Sequence, residues 1–233
     1  MKFTPLASSS KGNCYLLEAE GFSPLLLEAG IPIRQIREKI GFRLSELAGC
    51  LVSHEHGDHS KSVKDLLKAG VDCHMSEGTA EALKIENHHR VTVLWDEFKI
   101  DVKGWQILPF DLEHDAAQPF GFLIAQGKER LLFIPDTAYC RDRFVGATII
   151  ACECNHIGEI LSENIQKGHL PPVVGRRVRR NHLSLETLIK MLKANDLSKC
   201  RTIYLMHLSD GNSNEEQMKL AVQRAIGVPV YVC

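Results

Sequence analysis

Short β-type runs open the chain at Phe3–Ala7, Cys14–Ala19 and Pro24–Glu28, separated by the polar stretch Ser8-Ser9-Ser10-Lys11-Gly12-Asn13 and by Glu20-Gly21. Turn-rich separators of this kind join neighbouring antiparallel strands. Ile33, Ile36, Arg37 and Ile40 then fall at helical spacing, stopped by Gly41. A short buried strand is predicted at Gly49–Ser53, a helix at Ser60–Ala69, a strand at Val71–Met75 and a helix at Glu77–Leu83. From residue 89 the pattern returns to strands: Arg90–Leu94, Phe98–Val102, Trp105–Phe110, Phe120–Ala125, Arg130–Ile134 and Ala147–Glu153. A helix over His156–Gln166 leads into a polar, basic connector, Lys167–Asn181. Helices Ser184–Ala194 and Asn214–Ile226 flank the strand Thr202–Met206, the last helix opening on a capping box, Ser213 with Glu216. Two strand-rich blocks, each followed by helices, predict an α/β fold: a four-layer α/β/β/α sandwich rather than a doubly wound sheet. The 233 residues suit one domain, 1–233.

Composition narrows the class without naming a chemistry. Apolar residues make up 44% and charged residues 24%, an ordinary core-forming balance that excludes a disordered or fibrous chain. Lys and Arg number 28 against 29 Asp and Glu, so any contact with nucleic acid must come from a local patch. The longest apolar runs, such as Ser23–Ala29, fall well short of the ~20 residues of a spanning helix. Met1-Lys2-Phe3-Thr4-Pro5 lacks the apolar run of a secretory signal, and the eight cysteines form no C-x-x-C pair. The expectation is a cytoplasmic protein with reduced, mostly buried thiols and no membrane association. Trp95 and Trp105, both in strand-like apolar runs, are expected in the core.

The chemistry is concentrated in Ser53-His54-Glu55-His56-Gly57-Asp58-His59-Ser60, directly after a buried strand. Alternation at a strand end puts His54 and His56 on one side, and Asp58 and His59 enter the following turn. Three imidazoles and a carboxylate in six residues are too many polar groups for a strand end unless a cation compensates their desolvation. Histidine with carboxylate suits zinc, manganese or iron.

This H-x-H-x-D-H segment resembles the second motif of the metallo-β-lactamase-fold hydrolases. Later matches follow in that family's order: His114 in Leu112-Glu113-His114-Asp115, Asp136 in Ile134-Pro135-Asp136-Thr137 and His207 in Met206-His207-Leu208-Ser209. Within the family the chain is most similar to the YycJ/WalJ-type nucleases. The shared segments include Ser9–Cys14, His114–Pro119, Asp136–Tyr139, Glu153–His156, His182–Ser184 and His207–Asn212. The resemblance implies two divalent metal ions, one on His54, His56 and His114, the other on Asp58, His59 and His207, with Asp136 bridging. It further implies a phosphodiesterase acting on nucleic acid, a DNA exonuclease of double-stranded substrate, whose nucleophile is a hydroxide between the metals. Asp58 would also orient that nucleophile. Where the family usually ends its first strand with aspartate, this chain has Glu28, expected to support the ligand loop by hydrogen bonding.

Arg176, Arg177, Arg179 and Arg180 crowd the connector just before His182. Guanidinium forks match phosphate oxygens, so this run is a candidate clamp on the nucleic-acid backbone. His182 is a candidate proton donor to the leaving oxygen or, alternatively, a metal ligand in competition with His207; His156 is a similar candidate, and the alternative for either is a contact to the ligands or to a substrate phosphate. The rival expectation is a small-molecule hydrolase of the same fold, a cyclic nucleotide phosphodiesterase ahead of a thioesterase or lactonase.

Overall fold

A computed structural model describes every residue from Met1 to Cys233, and the chain divides into two compact units. Unit 1 comprises Met1–Asp111 and Ala116–Lys128; unit 2 comprises Leu112–Asp115 and Glu129–Cys233.

Unit 1 contains a six-stranded sheet in chain order: β1 (Lys2–Ala7), β2 (Cys14–Glu18), β3 (Leu25–Leu27), β4 (Gly49–Leu51), β5 (Cys73–Ser76) and β6 (Val91–Leu94). The first three strands are antiparallel, and β3 through β6 run parallel. Leu25, Leu26 and Leu27 are all fully buried, so this strand needs cover on both faces. On one face Leu26 joins Leu16, Cys50 and Val52 in a cluster with Ile36 of helix α1 (Ile33–Lys39). Val63, Leu66 and Leu67 of α3 (Val63–Lys68) join the same cluster, while α2 (Gly57–Ser60) is a single turn. Helix α4 (Glu77–Leu83) is capped by Ser76, whose side chain accepts from Thr79 N–H. An antiparallel ribbon, β7 (Ile100–Val102), β8 (Trp105–Asp111) and β9 (Phe120–Gln126), completes the unit. Trp105 Nε1–H donates to Ser23 O at 2.9 Å and Phe120 N–H to Ser53 O at 3.0 Å, tying the ribbon to the six-stranded sheet.

Unit 2 is built on parallel strands β10 (Glu129–Ile134), β11 (Ile149–Glu153), β12 (Thr202–Met206) and β13 (Val230–Val232). The runs Leu131–Ile134 and Ile149–Glu153 are buried throughout, as parallel strands covered on both faces require. Helices α5 (Gly158–Gln166), α6 (Pro172–Asn181), α7 (Leu185–Lys193) and α8 (Glu215–Ile226) accompany them. Asp136 lies just past β10, Glu153 ends β11 and His207 follows β12. Carboxyl ends of parallel strands are where side chains of different loops converge.

The patterning is corrected at four points. Lys167–Asn181 is not all connector, since Pro172–Asn181 forms α6 with Pro172 in its first turn. A proline there starts a helix rather than breaking one, because its missing N–H is not needed. Helix α8 is capped by Asn214, which accepts from Gln217 N–H at 2.9 Å; Ser213 instead donates to Ser209 O. Trp105 is fully buried, but Trp95 is 54% exposed, because it lies just beyond edge strand β6 where nothing covers it. Strand β13 was not anticipated. All eight cysteines are free thiols and seven are buried, as expected. No helix is long and apolar enough to cross a membrane.

Candidate metal centre

Unit 1 folds the H-x-H-x-D-H segment into a tight cage of ring nitrogens. His54 leaves the end of β4 fully buried, with its ring centroid 4.7 Å from that of His56 and 4.2 Å from that of His59. Ser53 Oγ lies 2.8 Å from His54 Nδ1. The loop is held from below by backbone: Ala29 N–H donates to His59 O at 2.8 Å and Asn13 N–H to Asp58 O at 2.7 Å. Gly30 makes this approach possible, because a Cβ there would sit 1.6 Å from Asp58 O. Asn13, fully buried, places Nδ2 3.1 Å from His59 Nε2.

Glu28 is fully buried with φ 64°, a left-handed conformation rare outside glycine. Its Oε2 accepts from Ser53 N–H at 3.3 Å and lies 3.5 Å from His59 Nδ1, while Oε1 has no partner. The carboxylate therefore faces both the start and the end of the histidine loop.

Unit 2 gathers its own donors. Ligand atoms of Asp136, Glu153, His182 and His207 all lie within 4.8 Å of one another. Glu153, fully buried, accepts from four groups: His182 Nδ1 at 2.6 Å, His207 Nδ1 at 3.1 Å, Leu183 N–H at 2.9 Å and Thr137 N–H at 3.0 Å. Burial alone would raise its carboxyl, but the facing His182 wins and holds it below the usual range. Burial likewise opposes a charge on His182, yet Glu153 lifts that imidazole above its ordinary value. His207 has φ 53° and lies 3.3 Å from Asp136 Oδ1. His114 Nδ1–H donates to Asn181 O at 2.8 Å, which fixes the tautomer whose lone pair is on Nε2; that atom lies 3.9 Å from Asp136 Oδ2. Burial lowers the His114 pKa, against the pull of Asp136.

The donor chemistry fits a divalent cation. Asp136 and Glu153 are two carboxylates almost wholly out of water; His182 and His207 turn Nδ1 to Glu153, and His114 has its Nδ1 tied by Asn181 O. Such ties are what orient a metal-binding histidine. His156 is outside the four-donor group; it is buried beside α7, its carbonyl taken by Leu185 N–H and its Nδ1 without a partner. Glu153 is the principal residue that reading the sequence left without a role. Its signals were a carboxylate closing an otherwise apolar strand, Ile149–Glu153, and its place in the shared segment Glu153–His156.

The four arginines separate. On α6, Arg176, Arg177 and Arg180 share a face with Val173 and line a cavity of about 410 Å³ together with Asp115 and Asn181. Arg177 Nε–H donates to Asp115 Oδ2 at 3.1 Å, whereas Arg179 turns away and donates to Ser162 Oγ at 2.7 Å.

Residues 25–208 match the family described as the beta-lactamase superfamily domain, so the chain belongs to that superfamily. It is a metal-dependent hydrolase by class. Exodeoxyribonuclease YycJ of Bacillus anthracis is 27% identical over 97% of this chain and 89% of its own length. Exodeoxyribonuclease WalJ of Streptococcus pneumoniae is 28% identical over 92% of this chain and 84% of its own. Among solved structures, the metallo-β-lactamase fold protein YhfI of Bacillus subtilis covers 99% of this chain and 95% of its own at a TM-score of 0.76 and 12% identity. That likeness shows the fold, the α/β/β/α class that the strand and helix patterning predicted.

Proposed function

We propose that the chain acts as one domain, a two-metal phosphodiesterase that removes nucleotides from the ends of double-stranded DNA. The observation that carries this reading is the convergence of buried carboxylates and oriented imidazoles at strand ends. The names of the YycJ and WalJ relatives support the nuclease assignment. In this reading His54, His56 and His114 would hold one ion and Asp58, His59 and His207 the other, with Asp136 available to both; zinc, manganese and iron suit this set. The ions would supply Lewis-acid activation of water and neutralise charge building on the phosphate.

The chain's own residues do the rest. Asn181 O keeps His114 in its working tautomer, and the Glu28 carboxylate faces His59 Nδ1 from 3.5 Å. Asp58 orients the water for in-line attack on phosphorus. His182, protonated and held through Nδ1 by Glu153, gives a proton to the leaving oxygen as the P–O bond breaks. Arginines of α6 hold the backbone without reading bases. Its eight free thiols support a reducing, cytoplasmic setting.

The test is mononucleotide release from end-labelled linear duplex DNA with manganese, run beside Asp58→Ala. Release by the parent and its loss by at least about 100-fold in a folded variant is the expected result. Undiminished cleavage by the variant would refute the mechanism. Activity on cyclic nucleotides alone would select the small-molecule reading.

A further inference from the structure

The α6 cavity has a charge that the reaction centre itself does not use. Val173, Arg176, Arg177 and Arg180 recur at helical spacing and so face one way. The opposite side of the helix is anchored by Gly175, which is buried so close to Ile165 of α5 that a Cβ would come within 2.3 Å of Ile165 Cδ1. Helix phase is thereby set, and the three guanidinium groups are committed to the cavity. Arg177 is paired with Asp115, but Arg176 and Arg180 meet no carboxylate. Three positive charges against one negative leave a surplus of two inside a concave space of about 410 Å³. Asn181, which lines the same cavity, holds His114 through its carbonyl. Asp115, also lining the cavity, lies 3.4 Å through Oδ1 from His114 Nε2, so the cavity adjoins a proposed metal ligand.

We infer that this cavity is a binding site for a terminal phosphate monoester of a nucleic-acid strand, an inference that rests on the nuclease reading above. A backbone diester carries one negative charge, whereas a terminal monoester carries nearly two and offers three acceptor oxygens. The surplus of two matches the monoester. Arg176 and Arg180, one helical turn apart, are spaced to take two of its oxygens, with Arg177 braced by Asp115 behind them. Occupation would mark the strand end and place a linkage near it at the reaction centre, which gives the enzyme its preference for ends over interior sites.

The test is fluorescence anisotropy with the full-length protein and hairpin duplexes that end in 5′-phosphate, 3′-phosphate or hydroxyl, the linkages near each end being phosphorothioates that resist cleavage. One phosphorylated end is expected to bind at least about tenfold tighter than the hydroxyl end, and which one it is gives the polarity. Arg176→Gln and Arg180→Gln, both exposed positions, should each remove most of that difference. Lys190→Gln, which deletes the same charge from exposed α7, should keep it. Equal affinity for all ends, or a difference that survives Arg176→Gln and Arg180→Gln together, overturns the inference. If no duplex binds, the nucleic-acid reading itself fails, and nucleoside 5′- and 3′-monophosphates decide about the cavity. A rise in melting temperature in the parent but not in Arg180→Gln keeps the monoester site; no rise in the parent removes it.

Discussion

Glu28 reaches further from its backbone than aspartate would, and its left-handed φ of 64° aims that length at two targets, Ser53 N–H and His59 Nδ1. Replacing it with glutamine keeps the volume but puts an amide where a carboxylate faces the imidazole. On the proposed ligand set, Glu28→Gln should weaken metal binding by about 10- to 100-fold, the usual cost of losing such a partner. Competition against a fluorescent chelator reads this directly, and unchanged affinity would deny Glu28 its supporting role. His74 is a histidine of another kind: buried, with neither ring nitrogen hydrogen-bonded and Gly49 packed against it. Burial pulls its pKa from 6.5 down to about 4, against the opposing charge of Asp72. Between those values the unfolded chain binds a proton that the folded chain refuses. Stability is therefore complete above pH 6.5 and falls as pH drops toward 4, by up to about 1.4 kcal/mol per unit. His74→Leu should remove that portion of the acid sensitivity in urea unfolding at pH 7.5, 6 and 5; an unaltered pH slope would count against it.

At the scale of elements, the strand-to-loop joints carry the site, and Gly30 shows how little room they have. Its missing side chain admits Asp58 O, and its own N–H donates to Asn13 O at 2.9 Å. Gly30→Ala forces backbone against backbone, so it should cost at least about 1–3 kcal/mol and disturb Asp58 with it. A melting temperature equal to the parent's would show that the loop yields freely. Helix α6 is the element whose nature the chain disguised. Prolines and arginines without an apolar stripe read as a connector, yet Pro172 occupies the one helical turn that tolerates it. What fastens α6 is Gly175 against Ile165, a contact between helices that has no local signature. Caps are local in the chain but can slip by a residue: Ser184 accepts from Thr187 N–H at α7, while α8 is capped by Asn214, one residue past the Ser213 that the capping-box spacing predicts.

For the molecule as a whole, a net charge of −1 coexists with three arginines gathered in one cavity, so on the proposed reading the attraction of a polyanion is local rather than global. Metal binding, in the proposed reading, is likewise a property of the folded chain: the unfolded chain cannot hold together donors as far apart in sequence as His54 and His207. Removing metal with EDTA should lower the melting temperature, and about 4 kcal/mol is at stake when free metal stands near 1,000 times its dissociation constant. Differential scanning fluorimetry with and without readded manganese or zinc checks this. A melting temperature indifferent to both would argue against a resident metal.

The amino-acid sequence by itself determined the strand and helix succession, the fold class and the His54-to-His59 cluster, because each of these is written in neighbouring residues as a period or a spacing. The resemblance to the metallo-β-lactamase-fold hydrolases, through that family's motif order, also marked His114, Asp136 and His207 as candidates. Only the tertiary structure brought Asp136, Glu153, His182 and His207 within 4.8 Å, since the register of parallel strands and the phase of α6 set those distances. The tertiary structure also chose which nitrogen of His114 is tied and which arginines share a cavity. Those outcomes depend on partners dozens of residues away, and no local pattern encodes a distance between them.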